Sequence, residues 1–189
     1  MKDQIWIGKV ILIAVCISVS ACLQVFADHF IYWKPGLLAE FWRLWTAHWV
    51  HVGWMHFFLN MLAFSFLPFI FPHARNWHLG ALLLVLPPFI SLIFYFYLPY
   101  IEAYAGLSGV LHGLYTAVSL EYLQYPHERK FAILVLVLIA AKIVWENTFG
   151  QTGTAQLIGS PVLTEAHLIS AIGGLLCGLG YLLVKRKYR

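Results

Sequence analysis

Charge is what this sequence has least of. Only 11% of its 189 residues are Asp, Glu, Lys or Arg, 61% are apolar and the mean hydropathy is +0.78, where a soluble domain carries roughly 25% charge. So few charged groups cannot cover a soluble globule, and a disordered chain needs the opposite bias. Cysteine is also scarce: Cys16, Cys22 and Cys177 all fall within apolar runs, with no disulfide framework or zinc-knuckle spacing. Despite a formal net charge of +4, there is no long basic stripe of the kind that follows nucleic acid. Linkers and low-complexity stretches are lacking too, so the chain reads as one domain, residues 1–189.

What is present is apolar length. Six runs can be marked, at about residues 10–26, 54–71, 79–97, 108–124, 131–148 and 164–184, and a spanning helix needs about 20 apolar residues. The expectation is an all-α, polytopic membrane protein of six transmembrane helices. Lys2, Lys9, Arg75, Arg129, Lys130, Lys185, Arg186, Lys187 and Arg189 all fall on one side of such a six-span arrangement. Lys34 and Arg43 fall on the other side, and Lys142 lies inside the fifth run. By the positive-inside rule both termini are cytoplasmic. The first outer loop, residues 27–53, carries Trp33, Trp42, Trp45 and Trp49, as expected of a segment lying in the membrane interface. Val19-Ser20-Ala21-Cys22 has the form of a lipoprotein cleavage site, but an uncleaved first span is the simpler account with five more spans following.

Polar residues within a bilayer are costly and point to function. The second, fourth and sixth runs all pass from outside to inside, so their N-terminal ends share the outer half of the membrane. Near those ends lie His56 and Asn60, then Gly106-Leu107-Ser108-Gly109, then Ala166-His167. Ser108, among small residues at a helix start, has unpaired backbone N–H groups and positive dipole beside it, which suits a nucleophile and a developing oxyanion. Ser160-Pro161 reads as the N-cap and first position of the sixth helix, with His167 about one and a half turns inside. Ser170, Gly173, Gly174 and Gly178 give that helix a small-residue face for close packing. His56 and Asn60, four apart on one face, are candidate oxyanion donors.

Each feature also has an ordinary structural explanation. The serine motif is a helix-packing motif as well, and the histidines and Asn60 can serve as interhelical hydrogen-bonding groups. His112 lies one turn after Ser108 on the same face and competes with His167 as the base, although a base on the same rigid helix leaves little room for a leaving group. His48, His51 and His56 fit no zinc signature. Lys142 and Glu146, four apart near the outer end of the fifth run, are explained by mutual pairing or snorkelling. A transporter or channel would need charge lining a path through the bilayer, whereas polar groups here stop in the outer half.

Taken together, these segments resemble the rhomboid intramembrane serine proteases. Glu40-Phe41-Trp42-Arg43-Leu44-Trp45-Thr46 is similar to the family's ExWRxxT, residues 56–60 to its HxxxN, Gly106 to Gly109 to its GxSG, and Ala166-His167 with Gly174 to its AHxxGxxxG. The resemblance implies a compact six-helix bundle with Ser108 as nucleophile, His167 as general base and no third, acidic member. It implies an oxyanion hole of His56, Asn60 and the Ser108 N–H, with Trp42 and Arg43 anchoring the first loop in the interface. Gly106 and Gly109 would support the serine, and no cofactor or metal is implied. The string from Gly106 to Gly113, the His48 and His51 pair and the lack of a soluble domain look most like the rhombosortases. For these, the implied substrates are C-terminal membrane tails of exported proteins with a Gly-Gly type motif, cut at the periplasmic side of a Gram-negative inner membrane. General rhomboid activity on other single-span proteins, or a silent rhomboid-like binder of membrane segments, are the alternatives. Two departures stand out: Ser170 replaces the first glycine of the sixth-span motif, and His112 stands where many rhomboids have a tyrosine packed on the catalytic histidine.

Overall fold

The computed structural model describes residues 2–150 and 152–187. Arg189, among the charges used to orient the chain, lies outside them, and so do the side chains of Lys2, Arg186 and Lys187. The backbone forms two compact units, Met1–Leu107 and Ser108–Arg189.

The first unit opens with α1, Lys2–Gln24. Its buried positions are Lys9, Ile13, Cys16, Ser20 and Gln24, a stripe at helical spacing, while Val10, Ile11, Val15 and Val19 on the other faces are exposed. The polar members of the stripe each satisfy a backbone group. The Lys9 ammonium donates to the Ala74 carbonyl at 2.8 Å, and the Ser20 hydroxyl donates to the Trp49 carbonyl. The Gln24 carboxamide donates to the His51 carbonyl at 2.9 Å and accepts the His51 N–H at 2.7 Å. Cleavage before Cys22 would discard the first two of these bonds.

After the first helix come a short strand β1, Tyr32–Trp33, and a single helical turn α2, Arg43–Thr46. Then come α3, Trp54–Ile70, and α4, Asn76–Tyr97. Strand β2, Ala103–Tyr104, returns antiparallel to β1 with Tyr32 opposite Tyr104. The Pro87-Pro88 pair lies inside α4. Pro88 has no N–H for the Leu84 carbonyl four residues earlier, and the Trp45 indole fills that role, donating to Leu84 O at 2.9 Å.

The second unit holds α5, Ser108–Tyr122, α6, Arg129–Phe149, α7, Thr152–Ile158, and α8, Thr164–Lys187. Helix α5 packs along α8 and also meets α6. Contact between α5 and α8 depends on small residues: a Cβ on Gly174 would lie 2.8 Å from the Gly113 carbonyl carbon and Cα. Ser170, the departure from glycine, is accommodated with no exposure.

Among the described residues, four helices are long and apolar enough to cross a membrane: Trp6–Gln24 within α1, then α4, α6 and Thr164–Lys185 within α8. The other two apolar runs form shorter helices of 17 and 15 residues, α3 and α5. At 1.5 Å per residue, α5 is about 22 Å long against a hydrocarbon core of about 30 Å.

Candidate active site

In the first unit the loop between α1 and α3 is folded by side chains reaching backbone carbonyls. Arg43 is 5% exposed. Its guanidinium pairs with Glu40 at 2.6 Å and donates to the Ile31 and Asp28 carbonyls at 2.7 and 3.1 Å. The Thr46 hydroxyl lies 2.9 Å from the Phe30 carbonyl and 3.1 Å from that of Trp42, and the Trp42 indole donates to His29 O at 3.4 Å. The Glu40-to-Thr46 motif therefore closes the loop on itself. Arg43, expected as an anchor of this loop, bonds three of the loop's own acceptors, because a guanidinium has enough donors to serve several oxygens at once.

The same loop fixes the segment leading to Ser108. Gly106 N–H donates to the Ala47 carbonyl at 3.0 Å, the Tyr104 hydroxyl donates to Gly106 O at 2.6 Å, and Leu107 N–H donates to His51 Nε2 at 3.4 Å. Gly106 has φ +139°, a backbone state that side chains avoid. A Cβ there would stand 2.7 Å from His56 Cε1. The edge-on rings of His51 and His56 are 5.0 Å apart. Asn60 is buried, and its amide nitrogen has no hydrogen-bond partner among the described residues.

Two loop histidines are neutral. Ser91 donates its proton to the Leu44 carbonyl at 3.1 Å, so its oxygen accepts His48 Nε2–H at 3.0 Å. Burial pushes His48 down to about 3. His51 is likewise pushed to about 3, by burial first and by neighbouring His56 second. Among the described residues His48, His51 and His56 do not converge as metal ligands.

In the second unit Ser108 is the first residue of α5, and Gly109 beside it is buried. The Ser108 hydroxyl lies 3.0 Å from His167 Nε2. The other ring nitrogen, Nδ1, is 2.8 Å from Glu146 Oε2, and Glu146 Oε1 is paired with Lys142. An ionised carboxylate only accepts hydrogen bonds, so Nδ1 carries the proton. Nε2 is then left with a lone pair for the Ser108 hydroxyl, the tautomer a general base needs.

A serine hydroxyl bonded to an imidazole at a helix start, in a chain of membrane-crossing length, is the arrangement the sequence motifs point to. The model of the rhomboid domain matches residues 38–185. The chain belongs to the rhomboid family. Rhomboids are intramembrane serine proteases, and this one is a multi-pass membrane protein. No curated protein matches the sequence.

Within this rhomboid, His112 does not compete for the serine hydroxyl. Its Nδ1 lies 2.7 Å from the Ser108 carbonyl, an acceptor, so Nδ1–H donates. Its ring stacks on His167 with centroids 4.0 Å apart and planes 17° from parallel. His112, Glu146 and His167 offer ligand atoms within 4.8 Å of one another. Imidazole ligates through in-plane lone pairs, and an ion in the plane of one stacked ring would lie well out of the other's, so this arrangement suits hydrogen bonds.

Two sequence readings change here. Ser160-Pro161 does not start α8. The Ser160 N–H instead bonds the Ala155 carbonyl at 3.2 Å past Gly159 at φ +71°, the Schellman ending of α7, after which proline is common. Helix α8 therefore begins at Thr164, and His167 sits in its first turn. The Lys142 and Glu146 pair is real, but Glu146 also holds His167. Sequence reasoning missed this because helical spacing showed the pairing along α6, while the α8 contact depends on how the two helices meet.

Proposed function

We propose that this rhomboid is an active endopeptidase that cuts membrane-anchoring segments of protein substrates near the outer face of the bilayer. Ser108 is the nucleophile and His167 the general base. The observation that carries this reading is the 3.0 Å contact between the Ser108 hydroxyl and a His167 Nε2 free to accept its proton. His167 takes that proton as Oγ bonds to the scissile carbonyl carbon and the carbonyl electrons move to oxygen. On collapse the C–N bond breaks and the leaving amine takes the proton from Nε2. Water then attacks the acyl-enzyme, giving its proton to Nε2, and Ser108 recovers it as the carboxylic product leaves.

His56, Asn60 and the Ser108 backbone N–H are the oxyanion donors in this reading. The unpartnered, buried amide nitrogen of Asn60 supports it. So does the glycine at 106, beside the His56 ring. Gly109 keeps the start of α5 narrow, and Trp42 with Arg43 holds the first loop in shape.

The further expectations belong to the same proposal. All of residues 1–189 make one membrane domain, with α3 and α5 completing six spans and both termini cytoplasmic. The membrane is a Gram-negative inner membrane with the site on the periplasmic side. Rhombosortase-like motifs favour C-terminal tails of exported proteins bearing a Gly-Gly type motif.

The test is labelling of purified protein by a fluorophosphonate probe, with cleavage of a tail-anchored reporter alongside. Ser108→Ala and His167→Ala abolish both. His112→Ala retains a measurable rate, lowered by loss of the stacked ring. Wild-type cleavage by Ser108→Ala removes the proposal.

A further inference from the structure

The resemblance to rhomboids implies a nucleophile and a base without an acid, yet the His167 imidazole is held from both sides. Glu146 is on α6 and His167 on α8, so their 2.8 Å contact is tertiary. It is also enclosed: side-chain exposure is 9% for Glu146 and 3% for His167. Both carboxylate oxygens are used, Oε2 by His167 Nδ1 and Oε1 by the half-exposed Lys142. The other titratable group against the ring is His112, whose Nδ1 is taken by the Ser108 carbonyl.

We propose that Glu146 is a positioning carboxylate that holds His167 in the tautomer and orientation of a general base, with Lys142 aiming that carboxylate through its other oxygen. This rests on the reading of Ser108 and His167 as nucleophile and base. Glu146 gives and takes no proton during the cycle. It accepts the Nδ1–H bond throughout, and its negative charge stabilises the imidazolium that forms when Nε2 takes the serine proton. With Nδ1 bonded to a carboxylate, the ring cannot place its single neutral-state proton on Nε2, where it would block the serine.

Lys142 makes the idea sharply testable. In Glu146→Gln the ammonium, which only donates, claims the carboxamide oxygen and turns the NH2 group toward His167. Nδ1 then has to accept, so the ring proton moves to Nε2 and the base is lost. Removing the ammonium as well lets the carboxamide flip its oxygen back to Nδ1–H. Glu146→Gln therefore lowers reporter cleavage about 100-fold or more, and the Glu146→Gln/Lys142→Met double variant regains at least about a tenth of the Lys142→Met rate. A merely structural contact gives no such recovery.

A second measurement does not depend on activity. On the inactive Ser108→Ala background, the low-field proton resonance of an imidazole N–H bonded to a carboxylate is expected, and adding Glu146→Gln removes it. Glu146→Gln cleavage within about threefold of wild type, an equally inactive double variant, or a low-field proton that survives Glu146→Gln each overturns the inference. In the same assays, activity in Ser108→Ala or His167→Ala sinks the underlying proposal instead, so the two failures are distinguishable.

Discussion

The loop-bracing residues before Ser108 and the site residues from Ser108 onward use their polar side chains differently. In the first unit, Lys9, Ser20, Gln24, Arg43 and Trp45 all donate to backbone carbonyls, and Arg43 also to the Glu40 carboxylate, which ties down irregular chain and the one α4 carbonyl that Pro88 leaves without an N–H. In the second unit the site groups sit on regular helices, and Ser108, His167, Glu146 and Lys142 form one side-chain chain. Irregular backbone next to apolar surroundings must have each polar group satisfied separately. Regular helices satisfy their own backbone, which frees side chains for chemistry, provided the helices come close enough. Close approach is therefore the weak point of the second unit, and many small bonds are the redundancy of the first.

The largest effect is expected where one atom controls helix approach. Gly174→Val puts a branched side chain against the Gly113 backbone, which a single Cβ would already crowd at 2.8 Å. Overpacking of this kind costs about 1–3 kcal/mol, and a shift of about 1 Å between Ser108 and His167 lowers turnover by about 100-fold. Thermal unfolding in detergent and reporter kinetics measure the two parts. Near-wild-type kinetics would break the comparison, since the site would then not depend on helix approach.

Gly106→Ala is the matching test of the first unit. The φ of +139° and the His56 ring at 2.7 Å both oppose a methyl group, at a cost of roughly 1–3 kcal/mol. Turnover is expected to fall about tenfold, less than for Gly174→Val, because the bonds of the Gly106 N–H and carbonyl remain available to hold the segment. Unchanged kinetics with a lowered melting temperature would make this segment structural only.

How much of this was legible in the sequence follows the same division. Ser108, His167, Gly174 and the six apolar runs were readable because helical periodicity and small-residue spacing are local and repetitive. Glu146 was not, since its partner is 21 residues away on another helix and i,i+4 spacing to Lys142 already explained it. The partners of Arg43 were hidden for a related reason: a basic residue in a Trp-rich loop has the composition of an interfacial anchor, and its bonds to the Asp28 and Ile31 carbonyls depend on how the loop folds. The start of α8 was misread because Ser-Pro fits a helix beginning and the sequel to a glycine C-cap equally well.

A third prediction concerns acid. His48 and His51 are held neutral in the fold at about 3, whereas unfolded histidine titrates near 6.5. Between those values the unfolded chain binds protons that the folded loop refuses, so stability is complete above about pH 6.5 and falls toward pH 3, by at most about 1.4 kcal/mol per pH unit per histidine. Melting temperatures of wild type and His48→Gln between pH 7.5 and 4.5 measure it. The variant loses its share of the slope. A flat wild-type profile would contradict the neutral, buried loop histidines.

The smallest effect tests redundancy itself. Trp45→Phe keeps an aromatic ring in the loop but removes the indole N–H that serves the Leu84 carbonyl opposite Pro88. Trp45 is 36% exposed, and the loss of one neutral hydrogen bond costs about 0.5–1.5 kcal/mol. Reporter kinetics should stay within about twofold, because one lost bond among many leaves the loop backbone where it was. If Trp45→Phe instead slowed cleavage as much as Gly106→Ala, the loop would depend on single contacts just as the α5 and α8 pair does, and the contrast between many weak ties and one close approach would not hold.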